Sequence, residues 1–173
     1  MNRKLTILMT TVNAHGSLNP FIGLSQMLHK AGHRIVFAIS ESMKGRLEKY
    51  GFEEELYEEL CLERSPTTNF LTMGLVSDKT TFEKVIGYPK LFLWKLKYFN
   101  EETEPNISQI IDKIKPDLII NDAMLSIPCI INSKIPWISL IPSNPLVAFD
   151  DERFPPFGSG KMEIDNLRLL CNK

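Results

Sequence analysis

A short apolar and β-branched run over residues 4–12 is followed directly by the turn-forming segment 13–20 and then by a helical pattern. The run predicts a buried strand. In the helix that follows, Asn19 suits the cap, Pro20 suits the first helical position, and Gly32 suits the C-terminal end. The segment 13–20 is therefore predicted to be a strand-to-helix turn at the tip of a sheet, which is where α/β folds hold ligands.

The same alternation continues along the chain. Residues 33–39 predict a second strand, and residues 42–50 predict a second helix that ends at Gly51. Strand and helix in this order predict a parallel sheet with crossover helices, because parallel neighbours need a long connection. We therefore predict an α/β fold, with a Rossmann-like parallel sheet flanked by helices.

The middle of the chain is less regular. Residues 52–63 are rich in glutamate and fit either a strand plus loop or a helix, whereas residues 64–78 predict a loop. Residues 81–99 are aromatic and predict a helix with a break at 87–89, because a residue that precedes proline avoids helical geometry. Residues 101–114 predict a further helix with isoleucines on one face.

A regular pattern returns in the last third of the chain. Residues 117–121 predict a strand, residues 125–133 a short helix and residues 137–141 another strand. Residues 144–160 contain several prolines and glycines and predict an exposed connection, and residues 161–173 fit a short helix.

Composition excludes several classes of protein. The chain has 173 residues, of which 43% are hydrophobic and 24% are charged, and this suits one domain with a packed core. The net charge is −1, from 20 basic and 21 acidic residues, which is unlike a surface that follows nucleic-acid phosphates. The three cysteines, Cys61, Cys129 and Cys171, lack the spacing of a zinc site or a disulfide framework and favour a reducing compartment. The apolar runs are too short for a membrane span or a secretory signal, so we predict a cytoplasmic protein.

Three segments occur together in a fixed order: Gly16–Pro20, Ile119–Ala123, and Pro136–Leu140 followed by Ser143–Pro145. In this order and spacing the chain resembles the N-terminal half of the UDP-glycosyltransferases, which are nucleotide-sugar-dependent enzymes of the GT-B fold. The resemblance covers nearly the whole chain, and it rests on the combination of segments rather than on any single motif.

The resemblance implies two Rossmann-like lobes that face each other across a cleft, with the acceptor in the N-terminal lobe and the UDP-sugar in the C-terminal lobe. It implies an acceptor-binding lobe at residues 1–145, and a connection with a short C-terminal helix at residues 146–173, before the donor lobe. No cofactor is expected in this chain, because the UDP-sugar would bind the missing donor lobe. The expected partner is a small lipophilic molecule with a hydroxyl group, and neither nucleic acid nor a membrane span is expected.

The resemblance also implies site residues. In the family a histidine on the first strand-to-helix turn takes the proton of the acceptor hydroxyl, and an aspartate orients that histidine. Asp122 matches the aspartate position, although a solvated or capping carboxylate explains it equally well. The family pattern Gly-His-x-Asn-Pro reads Gly-Ser-Leu-Asn-Pro here, so Ser17 stands at the position of the base. A serine hydroxyl is no base at neutral pH, and Ser17 also fits a hydroxyl that caps the helix. His15 is either a replacement base or an ordinary loop histidine, whereas His29 and His33 are predicted to be structural.

Side chains from the middle and the end of the chain are candidates for the wall of a lipophilic acceptor pocket. They are Phe70, Met73, Phe92, Trp94, Asn144 and Phe149. Aromatic helices that cover a sheet explain the same aromatic residues equally well.

Two functions follow from the sequence, and it leaves open whether the chain is an enzyme. The first is the acceptor lobe of a glycosyltransferase, which is incomplete or weakened when alone. The second is a non-catalytic module, derived from that lobe, that binds small lipophilic molecules. A nicotinamide-binding domain is disfavoured, because the first turn lacks Gly-x-Gly-x-x-Gly, although Glu41 follows the second strand as such a domain requires.

Overall fold

The computed structural model describes residues 3–12, 15–58, 101, 103–122 and 127–142. Within these residues five strands form one parallel sheet in the order β3-β2-β1-β4-β5. The strands are β1 (Thr6–Thr10), β2 (Arg34–Ser40), β3 (Glu53–Tyr57), β4 (Leu118–Asp122) and β5 (Trp137–Leu140). The predicted α/β fold with a Rossmann-like parallel sheet is confirmed.

Strand β1 lies at the centre of the sheet and pairs with β2 on one side and β4 on the other. Thr10, the last residue of β1, is in register with Ala38 of β2 and with Asn121 of β4. The strand order reverses at β1: the chain first adds β2 and β3 on one side of β1 and then adds β4 and β5 on the other side. In open α/β sheets, ligands bind at the carboxyl ends of the strands where the order reverses in this way.

Both faces of the sheet are buried at its three central strands, β1, β2 and β4. Successive residues of a strand point to opposite faces, and β1 accordingly contributes Ile7 and Met9 to one hydrophobic cluster and Leu8 to another. The first cluster includes Phe21 of helix α1 (His15–Lys30), and the second includes Ile107 of helix α2 (103–114). Full burial of each such side chain contributes about 1.5–3 kcal/mol, so these contacts hold the helices against the sheet.

Helix α1 begins earlier than predicted. It starts at His15, so Asn19 is not its cap and Pro20 lies inside it rather than at its first position. Proline fixes a backbone angle that suits a helix, but inside one it removes the hydrogen bond to the carbonyl of Gly16 and crowds that carbonyl. Because Pro20 is only the sixth residue of α1, few helical hydrogen bonds precede this disturbance.

The end of α1 is where the sequence predicts it. Gly32 has a φ of +92°, in the left-handed region that favours glycine. Its N–H donates to the carbonyl of His29 at 2.9 Å, and the N–H of His33 donates to the carbonyl of Leu28 at 3.2 Å. These two bonds form a Schellman motif, which satisfies carbonyls that the helix end leaves without partners.

The predicted second helix over residues 42–50 is wrong. The segment instead forms two short 3₁₀ turns, Glu41–Met43 and Glu48–Tyr50. Gly45 lies between them at a φ of +78°, which interrupts a helix. The Glu54 carboxylate accepts hydrogen bonds from the N–H groups of Gly45 and Leu47, each at 2.7 Å, and so holds the interruption in place. Gly51 ends the segment, as predicted, with a φ of +79°.

The other predicted elements within the described residues are present with small shifts of their ends. Of the two alternatives for residues 52–63, the strand is correct over Glu53–Tyr57, and a helix is present at 103–114. Helix α3 (Pro128–Ile131) begins with a proline, as helices often do, and leads into β5. In β5, Trp137 and Ile138 are 41% and 52% exposed.

The predicted loop 64–78, the predicted helix 81–99 and residues 143–173 lie outside the described residues, so the expected boundary at residues 145 and 146 stays a prediction. Among the helices that the structure does describe, none is long and apolar enough to cross a membrane.

Candidate functional site

Four polar side chains meet where β1 and β4 end. Thr10 and Thr11 follow the apolar part of β1, and Asn121 and Asp122 end β4. The Thr10 hydroxyl donates to Asn121 Oδ1 at 2.7 Å, and the Thr11 hydroxyl lies 3.4 Å from Asp122 Oδ2, at the long limit for a hydrogen bond. All four residues are at most 2% exposed. The two ends of the strands are therefore joined by a buried polar cluster.

Burial of this polar cluster costs hydration free energy. A carboxylate loses several kcal/mol of hydration when it leaves water, and it is retained only where hydrogen bonds or charges offset that loss. Asp122 has no exposed surface, and the Thr11 hydroxyl lies 3.4 Å from its Oδ2 and 3.3 Å from the carbonyl oxygen of Val12. The carboxylate lies at the point of the sheet where the strand order reverses. A buried carboxylate at this point can orient a neighbouring proton acceptor.

Ser17 is the third residue of α1 and is half-buried. Because α1 begins just after β1 and β1 pairs with β4, Ser17 belongs to the same edge of the sheet as Asp122. Among the residues that the structure describes, none forms a hydrogen bond with the Ser17 hydroxyl, so the predicted capping bond is not formed there.

His15, the first residue of α1, is exposed, and its Nε2 is hydrogen-bonded to the guanidinium group of Arg46. An arginine side chain is protonated and can only donate, so His15 Nε2 accepts this bond. Within the described part of the chain, His15 forms no hydrogen bond with Asp122. The role of His15 as a replacement base stays a prediction, and it requires the imidazole to leave Arg46.

The other two histidines have the structural positions that the sequence predicts. The Nδ1 of His33 accepts a hydrogen bond from the N–H of Leu5 at 3.1 Å, which ties the start of β1 to the end of α1. The ring of His29 lies edge-on to the ring of Phe52, with centroids 5.9 Å apart.

Cys129 is a free, half-buried thiol that packs against the second hydrophobic cluster. Burial raises its pKa to about 11, so the thiol stays protonated at neutral pH. Because the thiolate is the nucleophile, Cys129 is unsuited to covalent chemistry. In the described part of the chain no group of His, Cys, Asp or Glu side chains is suited to hold a metal ion.

The predicted acceptor-binding residues lie outside the described residues. They are Phe70, Met73, Phe92, Trp94 and Asn144, together with Phe149. Their role stays a prediction.

Comparison with known proteins finds no matching family model and no match among curated proteins. Solved structures do match. The glycotransferase of kitacinnamycin is 21% identical, with a TM-score of 0.58 over 82% of this chain and 31% of that chain. The spinosyn rhamnosyltransferase SpnG is 14% identical, with a TM-score of 0.57 over 76% of this chain and 33% of that chain. UGT89C1 of Arabidopsis thaliana is 15% identical, with a TM-score of 0.54 over 84% of this chain and 36% of that chain.

The chain has the fold of a GT-B glycosyltransferase lobe. It spans about a third of the length of these three structures. The resemblance found in the sequence is therefore confirmed for the fold. A shared fold does not by itself identify the acceptor or the donor, because one fold supports many functions.

In this glycosyltransferase-like lobe, sequence reasoning identified Asp122 but missed the side chains around it. Thr10 and Thr11 lie within the run 4–12 that predicts β1, and Asn121 is the last residue of the predicted strand 117–121. The available signal was two polar pairs, each at the end of an apolar strand, because the carboxyl ends of parallel strands meet at one edge. The contact between Arg46 and His15 was not predictable from the sequence, because a helix was expected over residues 42–50 and the structure has two 3₁₀ turns there.

Proposed function

We propose that this chain is the acceptor-binding lobe of a UDP-sugar-dependent glycosyltransferase that modifies a small lipophilic molecule at a hydroxyl group. The observation that carries the proposal is the buried Asp122 carboxylate where the strand order reverses, in a chain with the fold of a glycosyltransferase lobe. Two of the matching structures contain nucleotides: UGT89C1 is complexed with UDP-L-rhamnose, and SpnG with thymidine diphosphate. These complexes support a nucleotide-sugar donor.

The proposed chemistry is removal of a proton from the acceptor hydroxyl as its oxygen bonds to the sugar carbon of the donor. The bond from that carbon to the UDP oxygen breaks at the same time, and UDP leaves with the bonding electrons. Asp122 would orient the group that takes this proton, with Thr11 holding the carboxylate. Ser17 stands where the proton acceptor is expected, and a serine hydroxyl does not accept a proton at neutral pH. Loss of a positioned base costs about 10²–10⁴ in rate, so we expect slow transfer.

Ser17 favours a second candidate function. A lobe that has no base at the expected position can still hold a small lipophilic ligand without reacting with it. In this alternative the chain is a non-catalytic binding module derived from the acceptor lobe, and the Asp122 cluster serves to join the ends of β1 and β4 beneath the ligand.

We also propose that the protein is located in the cytoplasm. Cys129 is a free thiol, and a reducing compartment maintains that form.

The test is sugar transfer to a phenol by the chain fused to a competent donor lobe. We expect Ser17→His to raise the rate by about 10² or more, because an imidazole has a pKa suited to accept the proton. Asp122→Asn in the Ser17→His background should remove most of that gain. Gln26→His is the matched control, because Gln26 is an exposed residue two turns further along α1.

Two results would contradict the assignment of the base position: fast transfer by the natural chain, or an equal gain from Gln26→His. Calorimetry of the natural chain separates the two candidate functions. Binding of a phenol with no transfer in any fusion supports the binding module, whereas transfer that depends on Asp122 supports the glycosyltransferase lobe.

A further inference from the structure

A groove of about 230 Å³ lies between α1 and the segment that holds the two 3₁₀ turns. Helix α1 contributes His15 and Asn19, and the turn segment contributes Arg46, Lys49 and Tyr50. The groove is on the β2 and β3 side of α1, because the turn segment connects those two strands. None of the four residues of the Asp122 cluster lines it.

The groove carries two positive charges that no carboxylate in the described part of the chain neutralises. Some other cations there do have partners: Arg34 pairs with Glu53 at 2.6 Å and Lys113 with Glu55 at 2.7 Å. Arg46 and Lys49 form no such pair with any described residue.

Among the residues that the structure describes, no acidic side chain lines the groove. The neighbouring Glu54 has both carboxylate oxygens engaged by the N–H groups of Gly45 and Leu47. It forms no ion pair with Arg46 or Lys49, and its single negative charge offsets the two cations only in part. The groove has an excess of positive charge, which favours an anion.

Both cationic groups are held in place. The Lys49 ammonium lies 5.0 Å from the centre of the Tyr50 ring, a distance at which the face of the ring attracts a cation. Arg46 donates to His15, and its guanidinium group has further N–H donors for a ligand. Less side-chain freedom is then lost when an anion binds.

The size of the groove limits the ligand. Pockets for drug-sized molecules measure about 300–1,000 Å³, and this groove is smaller. It suits one charged group with a small attached body rather than a whole nucleotide sugar. Leu18 and Ile22 supply an apolar wall beside the charges.

We propose that this groove binds a phosphate group through Arg46 and Lys49. Two fixed cations match the charge of a phosphate group, which is about −1.5 to −2 at neutral pH. The phosphate group belongs either to free inorganic phosphate or to a small organic phosphate whose body contacts the apolar wall. The inference does not depend on the proposed transferase function.

The experiment is calorimetric titration of the full chain with inorganic phosphate and, separately, with phenyl phosphate at constant low ionic strength. We expect saturable binding that weakens about five-fold or more in Arg46→Gln and in Lys49→Gln. Lys44→Gln is the matched control, because Lys44 is exposed on the same segment, does not line the groove and loses the same charge. It should change affinity by about two-fold or less.

Tighter binding of phenyl phosphate would identify an organic phosphate, and equal binding would identify the free anion. Circular dichroism of each variant checks that the fold is retained, and these substitutions are at exposed positions. Absence of saturable binding to either probe would overturn the proposal. An equal loss of affinity in Lys44→Gln would also overturn it, because the attraction would then be general rather than located in the groove.

Discussion

Ser25 provides a sharp test of how α1 packs against the sheet. The residue has no exposed surface, and its hydroxyl has no hydrogen-bond partner among the residues that the structure describes. A buried hydroxyl without a partner costs about 1–3 kcal/mol, and alanine is favoured over serine in a helix by about 0.5 kcal/mol. The lost packing of one oxygen atom offsets part of this gain. We expect Ser25→Ala to raise the free energy of unfolding by about 1 kcal/mol.

The assay is urea unfolding of the full chain followed by far-ultraviolet circular dichroism. For a slope of about 2 kcal/mol per molar urea, the midpoint should rise by about 0.5 M. Ser40→Ala is the contrasting variant, because the buried Ser40 oxygen accepts from the N–H of Ser42 at 3.3 Å and caps a 3₁₀ turn. Its loss should lower stability by about 1 kcal/mol. If Ser25→Ala destabilised the chain as much as Ser40→Ala does, the hydroxyl of Ser25 would have a partner and our reasoning would be refuted.

Two further predictions concern the ends of the elements. Gly32→Ala should lower the free energy of unfolding by about 1 kcal/mol, because φ is +92° there. Gly23→Ala should raise it by about 0.5–1 kcal/mol, because Gly23 lies within α1 and a Cβ there would meet open space. The urea midpoints of the two variants test both values. The hydrogen bond from the Thr6 N–H, with help from Arg3, lowers the pKa of Asp117. A carboxyl whose pKa is lowered in the folded state stabilises the fold at any pH above its unfolded value of about 3.9. This stabilisation is lost as the pH falls from that value through the lower pKa of the folded state. Asp117→Asn should therefore lower the urea midpoint of unfolding at neutral pH, and the midpoint of this variant should fall less between neutral and acid pH. An unchanged pH dependence of the urea midpoint would contradict this.

The parts of the fold that sequence reasoning predicted are those that depend on periodicity and on the chemistry of helix ends. β1 was recognisable because the apolar run Thr6–Thr10 is buried on both faces. The end of α1 was recognisable because only glycine adopts the φ of Gly32 without strain.

The errors came from local signals that tertiary contacts override. Pro20 is common at the first helical position, yet α1 extends upstream of it. Residues 42–50 have a helical composition, but Gly45 adopts a positive φ while Glu54, from the next strand, binds the backbone beside it. Glu54, which stabilises this break, belongs to the following strand, so the sequence of residues 42–50 alone does not reveal it.

For the candidate site, the position of Asp122 was predictable and its partners were not. The end of a buried strand is a place where a polar residue is conspicuous in the sequence. Which hydroxyl lies beside Asp122 depends on the register of β1 against β4, and that register is set by packing over both faces of the sheet.

The central position of β1 has a consequence for synthesis of the chain on the ribosome. Thr10 and its partner Asn121 are 111 residues apart. At elongation rates of about 5–20 residues per second, one edge of β1 waits between about 5 and 20 seconds for β4 to emerge. During that interval one edge of β1 in the nascent polypeptide has unpaired backbone groups. A chaperone bound there would protect this edge from pairing with another growing chain.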